Sequence, residues 1–376
     1  MQPTFVRKWL VCGLFAVALM AVVAGCGSDS SSSDTTAGSS ATAGESTEAA
    51  EPVDVATGEL EGELPQGPNP VGKAAGKTIG FVSACQNCEP MARMSAAYEE
   101  AAAAAGMDVR IYDTKGNPAD AAKGVETLLQ AGADAIVLAA LPPQVVGAAA
   151  EAAKSKDVPI YATFPGVLYK DSEGITAFNI EENTPEAQQK LAERLVEEVG
   201  PEAKVLYMFD EVLPVGQLYD AGIRKGLGKA QILDEAQVDL TKITEAGFDT
   251  TRTWLTKHPD AEAIICAYDA ACLGAIQALE EAGKEIPVYS NNANLENLDL
   301  IREGVDTITN GLAIELASYL GVDGAISLLN GKDVPTQQEV KDLMIDSENV
   351  PAEGVYDGSQ LYGDFRSAFE QRWGAE

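Results

Sequence analysis

The feature that most constrains the fold is an alternation of short apolar runs with segments of helical periodicity, which starts at Thr78. Residues 78–83 form a short, mostly apolar run, as expected for a buried parallel strand. Apolar positions at helical spacing follow at Met91, Met94, Tyr98, Ala101 and Ala105, and Gly106 ends that helix. Repeated strand–helix units of this kind predict a parallel sheet with helices on both faces.

The alternation continues through two successive halves of the chain. In the first half the predicted strands are 78–83, 107–113, 135–139 and 158–163, with helices starting near 119 and 145. In the second half they are 204–209, 231–238, 263–267 and 286–289, with helices from 184, near 222–229 and at 270–282. Two sets of this size predict an α/β protein with two Rossmann-like lobes built on parallel sheets.

Candidate binding loops follow from the sheet architecture, because ligands in open α/β sheets bind beyond the carboxyl ends of the strands. These loops are 83–89, 139–143, 164–169, 210–216, 268–271 and 291–294. Their amides and carboxylates, with Phe164 and Tyr268 as ring surfaces, are suited to a neutral polyhydroxyl ligand held between the lobes. Asp269 and Asn292 also precede predicted helices, so helix capping is the alternative role for each.

The N-terminus has the pattern of an export signal. Arg7 and Lys8 precede an apolar run over 9–24 that is too short for a stable membrane span. The run ends in Val-Ala-Gly-Cys26, which resembles the lipobox of bacterial lipoproteins. We expect a signal peptide over 1–25 and a lipidated Cys26 that anchors the chain to the outer face of the cell membrane. An ordinary secretory signal with a chance cysteine is the alternative.

The segment after the signal has a different composition from the rest of the chain. It is rich in Ser, Thr, Ala, Gly, Glu and Pro, which predicts a disordered linker over 26–76. The whole chain carries 58 acidic and 26 basic residues, a formal net charge of −32. Such a charge repels nucleic acid and anionic lipid, so we expect no nucleic-acid partner and membrane contact through the lipid anchor only.

Two stretches of the chain have a specific sequence pattern: residues 258–283 read HPDAEAIICAYDAACLGAIQALEEAG, and residues 116–137 read GNPADAAKGVETLLQAGADAIV. Both resemble the ribose/galactose-binding group of the type I periplasmic binding protein family. The resemblance extends over about residues 77–332 and implies two lobes joined by three crossovers that close on a ligand by hinge bending. It implies an N-terminal lobe of 77–180 plus 311–342, and a C-terminal lobe of 181–310 plus 343–376.

The same resemblance implies where a ligand binds. The family's Asn-Asp pair corresponds to Tyr268-Asp269, its next aspartate to Asn292, its cross-cleft glutamine to Asn310 and its first ligand loop to residues 83–91. The expected ligand-binding residues are Ser83, Gln86, Asn87, Met91, Phe164, Asp210, Tyr268, Asp269, Asn292 and Asn310.

This chain also departs from the family pattern. Phe164-Pro165 replaces an Asp-Arg pair that grips sugar hydroxyls in ribose-type members, and Ala139 replaces an asparagine. These changes remove strong, charge-assisted hydrogen bonds. We therefore expect a ligand other than ribose, which could be another sugar, a smaller polyol or a less polar compound.

The cysteines outside the signal and anchor number four, and an even number in an exported domain favours disulfides. The simplest pairing is local, Cys85 with Cys88 and Cys266 with Cys272, because bonds between the lobes would prevent opening. A redox role for the Cys-x-x-Cys segment is one alternative. A zinc site made by all four cysteines is another, but it would also lock the lobes.

The sequence shows no catalytic pattern. His258 is the only histidine and lies in a His-Pro-Asp turn, and there is neither a P-loop nor a Gly-x-Gly-x-x-Gly after the first strand. Asp210-Glu211 is a weak glycosidase candidate, because adjacent side chains at a strand end usually point apart. We expect no cofactor, no metal and no enzyme activity.

The preferred interpretation is an extracytoplasmic lipoprotein that captures a small neutral solute and delivers it to an ABC permease. A lipid-anchored sensor for a signalling partner, with a similar cleft, is the second interpretation. A thiol–disulfide oxidoreductase that uses Cys85 and Cys88, or a glycoside-directed enzyme, is the third. A transcriptional regulator would need a basic helix-turn-helix ahead of the lobes, where this chain has a signal and an acidic segment.

Overall fold

The computed structural model describes residues 58–59, 64–165, 179–181, 185–335 and 337–374. The expected signal peptide, the expected lipidation site Cys26 and residues 166–169 of one candidate loop lie outside the described residues. Within the described ranges, none of the helices combines the length and apolar character needed to cross a bilayer.

The strands and helices follow one another as the sequence pattern predicts, with additional elements toward the C-terminus. The strands are β1 (Gly58–Glu59), β2 (Thr78–Ser83), β3 (Asp108–Asp113), β4 (Ala135–Ala139), β5 (Ile160–Thr163), β6 (Asn179–Glu181), β7 (Lys204–Phe209), β8 (Gln231–Gln237), β9 (Ala263–Cys266), β10 (Val288–Asn291), β11 (Thr307–Gly311), β12 (Gln337–Glu339) and β13 (Leu343–Ile345). The α-helices are α1 (Glu89–Ala104), α2 (Ala121–Gln130), α3 (Gly147–Lys154), α4 (Pro185–Val199), α5 (Pro214–Leu227), α6 (Ile243–Lys257), α7 (Asp269–Ala282), α8 (Leu295–Arg302), α9 (Ile314–Leu329), α10 (Ser359–Tyr362) and α11 (Phe365–Trp373).

The strands form two sheets, one in each lobe. The first has the order β1-β12-β6-β5-β4-β2-β3, and the second has the order β13-β11-β10-β9-β7-β8. The strand pairs are parallel, except that β13 pairs antiparallel with β11. The strands β2, β4, β5 and β9 are buried along their whole length, as strands covered by helices on both faces must be. The predicted two-lobed α/β fold is confirmed.

The chain passes between the sheets three times, after β6, after β11 and after β12. The sequence interpretation then placed residues 343–376 in the second lobe, and the structure differs on this point. Strand β13 does pair in the second sheet, but α11 packs against α9 in the hydrophobic cluster of the first lobe. The Trp373 ring stacks on Tyr319 with centroids 5.8 Å apart, so burial of these rings draws the C-terminus back across the hinge.

Ordered structure also begins earlier than residue 77. The strand β1 pairs with β12, and Ala74 is fully buried in the first-lobe cluster. The buried Asn69 amide donates from Nδ2 to Asp323 Oδ1 (2.9 Å) and to Ser327 Oγ (3.0 Å). The end of the predicted linker 26–76 is therefore part of the fold, because these contacts give it burial and hydrogen bonds that its composition alone does not predict.

Two elements next to the candidate loops are shifted from the sequence prediction. The helix expected near 222–229 is α5, which begins at Pro214, a residue well suited to a first helical turn. The strand expected at 286–289 is β10, which ends at Asn291. Because β10 ends at Asn291, the polar segment 292–294 begins at the carboxyl edge of the second sheet.

Candidate functional site

A cavity of about 460 Å³ lies between the lobes, at the carboxyl ends of both sheets. Loops and helix starts from both lobes line it. The first lobe contributes Ala84, Cys85, Asn87, Cys88, Glu89, Pro90, Met91, Gly116, Pro118, Ala140 and Phe164, and the second contributes Leu213, Val215, Tyr219, Leu240, Thr241, Lys242, Ile243, Thr244, Glu245, Tyr268, Ala270, Leu273, Asn292, Asn294, Glu296 and Asn297. Leu312 and Ile314, at the second crossover, complete the lining.

The first-lobe wall is formed by the loop between β2 and α1. A disulfide joins Cys85 to Cys88 directly before α1, and Asn87 and Met91 face the cavity. The Gln86 side chain is held within the loop, because Nε2 donates to Ser83 Oγ (2.8 Å) and Oε1 accepts from Ser95 Oγ (3.0 Å). Ser83 and Gln86 therefore shape this wall without lining the cavity.

The second-lobe wall contains two tyrosine rings, Tyr219 and Tyr268, which meet edge to face at 6.0 Å. The Tyr268 hydroxyl donates to Asp210 Oδ2 at 2.7 Å. Burial, together with the charge of Asp210, raises the pKa of Tyr268 well above its ordinary value, so the hydroxyl remains a donor. The fully buried Asp210 also accepts from Gln237 Nε2 (2.9 Å), so it fixes the tyrosine ring from behind the wall.

Asp269 is fully buried behind the same wall. Its Oδ1 accepts from the hydroxyls of Ser290 and Thr309, and its Oδ2 accepts from the Asn294 backbone N–H at 2.6 Å. Burial raises the pKa of Asp269 to about 7, although these three hydrogen bonds act in the opposite direction. Asp269 therefore ties the loop after β10 to the start of α7, and it neither caps its own helix nor lines the cavity.

The cavity wall contains backbone in the sparsely populated left-handed region. Among the described residues, six non-glycine residues have positive φ, and three of them, Ala140, Phe164 and Asn292, line the cavity. A fourth, Ala293, follows Asn292 directly. Strained backbone of this kind persists where surrounding contacts hold it, and it clusters at ligand-binding sites.

Contacts between the lobes run beside the cavity. Glu89 Oε1, at the start of α1, accepts from the Leu295 N–H of α8 at 2.8 Å. Arg93, one turn further along α1, forms a two-point ion pair with Glu315 (3.0 and 2.9 Å) and donates to the Ala293 carbonyl at 3.3 Å. The first lobe thus contacts the 292–295 loop of the second lobe directly.

The structure sorts the expected site residues into two groups. Asn87, Met91, Phe164, Tyr268 and Asn292 line the cavity. Ser83, Gln86, Asp210, Asp269 and Asn310 do not, and Asn310 instead donates to Asp342 Oδ2 at 2.7 Å. Asn292 caps no helix, since the residue before α8 is Asn294.

Sequence reasoning missed several residues of the lining. The segment 240–245 follows β8, so the carboxyl-end rule, if applied to that strand, identifies it. Asn294 belonged to a candidate loop but was not named, and Asn297 lies in the first turn of α8, the helix that was expected after Asn292 but was given no bounds.

The chemical character of the cavity is mostly apolar and aromatic, with neutral amides. The charged side chains that line it are Glu89, Lys242, Glu245 and Glu296, of which the last three are exposed at the rim. Carboxylates outnumber the one lining cation, so this rim disfavours an anionic ligand. The second disulfide joins Cys266 to Cys272, so each disulfide lies within its own lobe and neither links the two lobes. The described residues contain no cluster of three or more His, Cys, Asp or Glu side chains that could hold a metal ion.

Comparisons with known proteins agree with this geometry. The family model described as "Periplasmic binding protein domain" matches residues 79–333. The ribose import binding protein RbsB of Bacillus subtilis is 26% identical over 263 residues, which cover 68% of this chain and 83% of that protein. A xylitol-binding protein of Mycolicibacterium smegmatis is 25% identical over 242 residues, which cover 61% of this chain and 66% of that protein.

The fold is shared with solved structures of solute-binding proteins. The 5-methylthioribose transporter solute binding protein of Thermotoga lettingae superposes with a TM-score of 0.71 at 16% identity, and the match covers 82% of this chain and all of that one. The residues that the family model matches, 79–333, include all the segments that line the cavity. The chain therefore belongs to the periplasmic binding protein family, as a type I member related to the sugar-binding components of ABC importers.

Proposed function

We propose that this protein captures a small neutral solute, a sugar or a polyol, in the cavity between its lobes and delivers it to an ABC permease. The observation that carries the proposal is the cavity itself, which both lobes build from the carboxyl ends of their parallel strands. Its buried lining combines aromatic rings with neutral amides, the groups that hold the C–H faces and the hydroxyls of such ligands.

The proposed range of ligands rests on what the relatives are named for and on where this chain departs from the family pattern. The relatives are named for ribose and xylitol, and one solved structure holds allitol. Phe164 occupies a cavity position where ribose-type members carry a charged residue, which favours a ligand with fewer strongly bonded hydroxyls than ribose has. Asn87, Met91, Tyr268 and Asn292 are the other expected residues that contact it under this proposal.

The proposed location is the outer face of the cell membrane. Its support is the sequence pattern around Cys26, which lies outside the described residues, and the Ser- and Glu-rich segment that follows. A lipid chain on Cys26, with that segment as a tether, would hold the two lobes close to a permease.

A thermal-shift screen tests the proposal. The full chain, purified in detergent, is heated with ribose, xylitol, allitol, myo-inositol and deoxy or alkyl-substituted sugars, and with sugar acids and amino sugars as charged controls. At a hundred times its Kd a ligand adds about 2.7 kcal/mol of stability, which is readily seen as a higher Tm. We expect a rise for at least one neutral compound. No rise with any of them, or a larger rise with a charged control, would contradict the proposal.

A further inference from the structure

Two asparagines at the start of α8 combine buried, unpaired amide atoms with a position in the cavity lining. Asn294 is 6% exposed and Asn297 is 1% exposed, and both border the cavity. Asn297 Oδ1 and Nδ2, and Asn294 Oδ1, have no hydrogen-bond partner in the described part of the chain. Although Asn294 precedes α8, its side chain caps none of the helix N–H groups.

Asn291 also has an unpaired amide oxygen but does not border the cavity, whereas Asn69 shows how a buried amide away from the cavity is bonded. Asn69 is 2% exposed, and its amide bonds to Asp323, Ser327 and Lys332. Leaving buried polar atoms unpaired disfavours folding, so an unpaired group at a cavity wall indicates a partner that is not part of the protein. The same absence of partners in Asn294 and Asn297, three residues apart on one cavity wall, makes a shared ligand the simplest explanation.

The unpaired atoms specify the chemistry of that ligand. Two of them are acceptors and one is a donor, so the ligand must both donate and accept on this side. A carboxylate only accepts and an ammonium only donates, whereas hydroxyls do both. Adjacent hydroxyls on neighbouring carbons match the oxygen and nitrogen of one amide.

Part of the remaining buried lining is purely apolar. Met91, Phe164 and Leu312 are each at most 8% exposed and border the same cavity. A ligand surface that faces these side chains gains by being C–H or alkyl, because a hydroxyl there would lose its hydrogen bonds to water.

We propose that Asn294 and Asn297 form a subsite for two adjacent hydroxyls, and that the ligand is a neutral diol with a less polar side directed at the apolar wall. The inference rests on the proposed function and deepens it. It names two specificity-determining residues and a ligand class, a deoxy or alkyl-substituted sugar or polyol, that retains one vicinal diol.

The test uses isosteric variants of the full chain, Asn294→Leu and Asn297→Leu, with Asn69→Leu as the matched control at a buried amide far from the cavity. Titration calorimetry with the neutral compound that gives the largest thermal shift measures affinity, and the Tm without ligand measures stability. We expect each cavity variant to bind about tenfold more weakly or worse and to keep the wild-type Tm or exceed it. Asn69→Leu should lower the Tm and leave the affinity unchanged.

Two outcomes overturn the inference alone. In the first outcome, wild type binds the compound and both cavity variants bind it with the wild-type affinity. In the other, the cavity variants lose Tm as Asn69→Leu does, which would assign these amides a structural role. A wild-type protein that binds none of the neutral compounds would instead overturn the proposed function, and the inference with it.

Monodeoxy analogues of the same compound test the diol directly. Removal of either of two adjacent hydroxyls should weaken binding to wild type but not weaken it further in Asn297→Leu, because the contact is already lost. Deoxygenation on the side directed at the apolar wall should leave the wild-type affinity equal or higher. If each deoxygenation weakens binding by the same factor in wild type and in Asn297→Leu, the subsite assignment is wrong.

Discussion

At the scale of single residues, the position of a side chain after a strand was predictable, but its direction was not. Tyr268 and Asn292 follow strands and face the cavity. Asp210 also follows a strand, yet Tyr268 and Gln237, which are 58 and 27 residues away, bind its carboxylate behind the wall. Which polar residues contact a ligand thus depends on hydrogen-bond partners distant in sequence, and a single sequence does not reveal them.

Asp269 gives a prediction about pH. Burial raises its pKa from an ordinary 3.8 to about 7, and the charge of Glu89 acts in the same direction. Between these values the folded protein retains a proton that the unfolded chain has lost, so the carboxyl's contribution to stability is greatest below about pH 4 and declines as the pH rises to about 7. Asp269→Asn cannot titrate. As the pH rises from about 4 to about 7, the unfolding free energy of Asp269→Asn, measured with urea, should therefore increase relative to that of wild type.

A control for this effect is Asp260→Asn. Asp260 is exposed, and the ammonium of Lys204, which donates at 2.7 Å, lowers its pKa. The contribution of Asp260 to stability is present above its ordinary pKa and is lost as the pH falls. The unfolding free energy of Asp260→Asn, relative to wild type, should therefore decrease slightly as the pH rises. Wild-type and Asp269→Asn curves that run parallel across the window would show that burial of Asp269 does not perturb its titration.

At the scale of helices and strands, the apolar runs were the reliable signal. The predicted and observed bounds of β2, β4 and β7 coincide, because strands covered on both faces are continuously apolar. Helix α5 was predicted too short, because its first turn contains Pro214 and Gly216, two residues that disfavour a helix interior. The close contact of α6 with α7 was not predictable, since it depends on glycines that meet only in the folded protein.

Gly274 gives a prediction about that contact. A Cβ at this position in α7 would collide with the Thr244 carbonyl oxygen of α6 and would lie 2.6 Å from the Phe248 nitrogen. Gly→Ala inside a helix ordinarily stabilises by about 0.5–1 kcal/mol. Here we expect Gly274→Ala to destabilise by about 1–3 kcal/mol in urea unfolding, because two backbones must separate.

Ligand affinity should fall in the same variant, because Thr244 lines the cavity. The control is Gln277→Ala, three residues along the same helix at an exposed position, which should retain wild-type stability and affinity. A Gly274→Ala protein at least as stable as wild type would contradict the packing described for these two helices.

At the scale of the whole molecule, the two lobes and their shared cleft followed from the sequence, but the path of the C-terminus did not. The rings of Phe365, Phe369 and Trp373 are buried, so their segment had to pack somewhere. Apolar periodicity shows that a helix has a buried face, and it does not show which lobe covers that face. The aromatic contacts with Tyr319 place it on the first lobe.

Under the proposed function, both lobes contact one neutral solute in the cavity between them. Amide hydrogen exchange of the full chain, with and without the neutral compound that gives the largest thermal shift, measures this contact in each lobe separately. We expect slower exchange in the first-lobe segment 84–91 and in the second-lobe segments 240–245 and 292–297, all of which border the cavity. Protection confined to one lobe, or to surfaces away from these three segments, would contradict it.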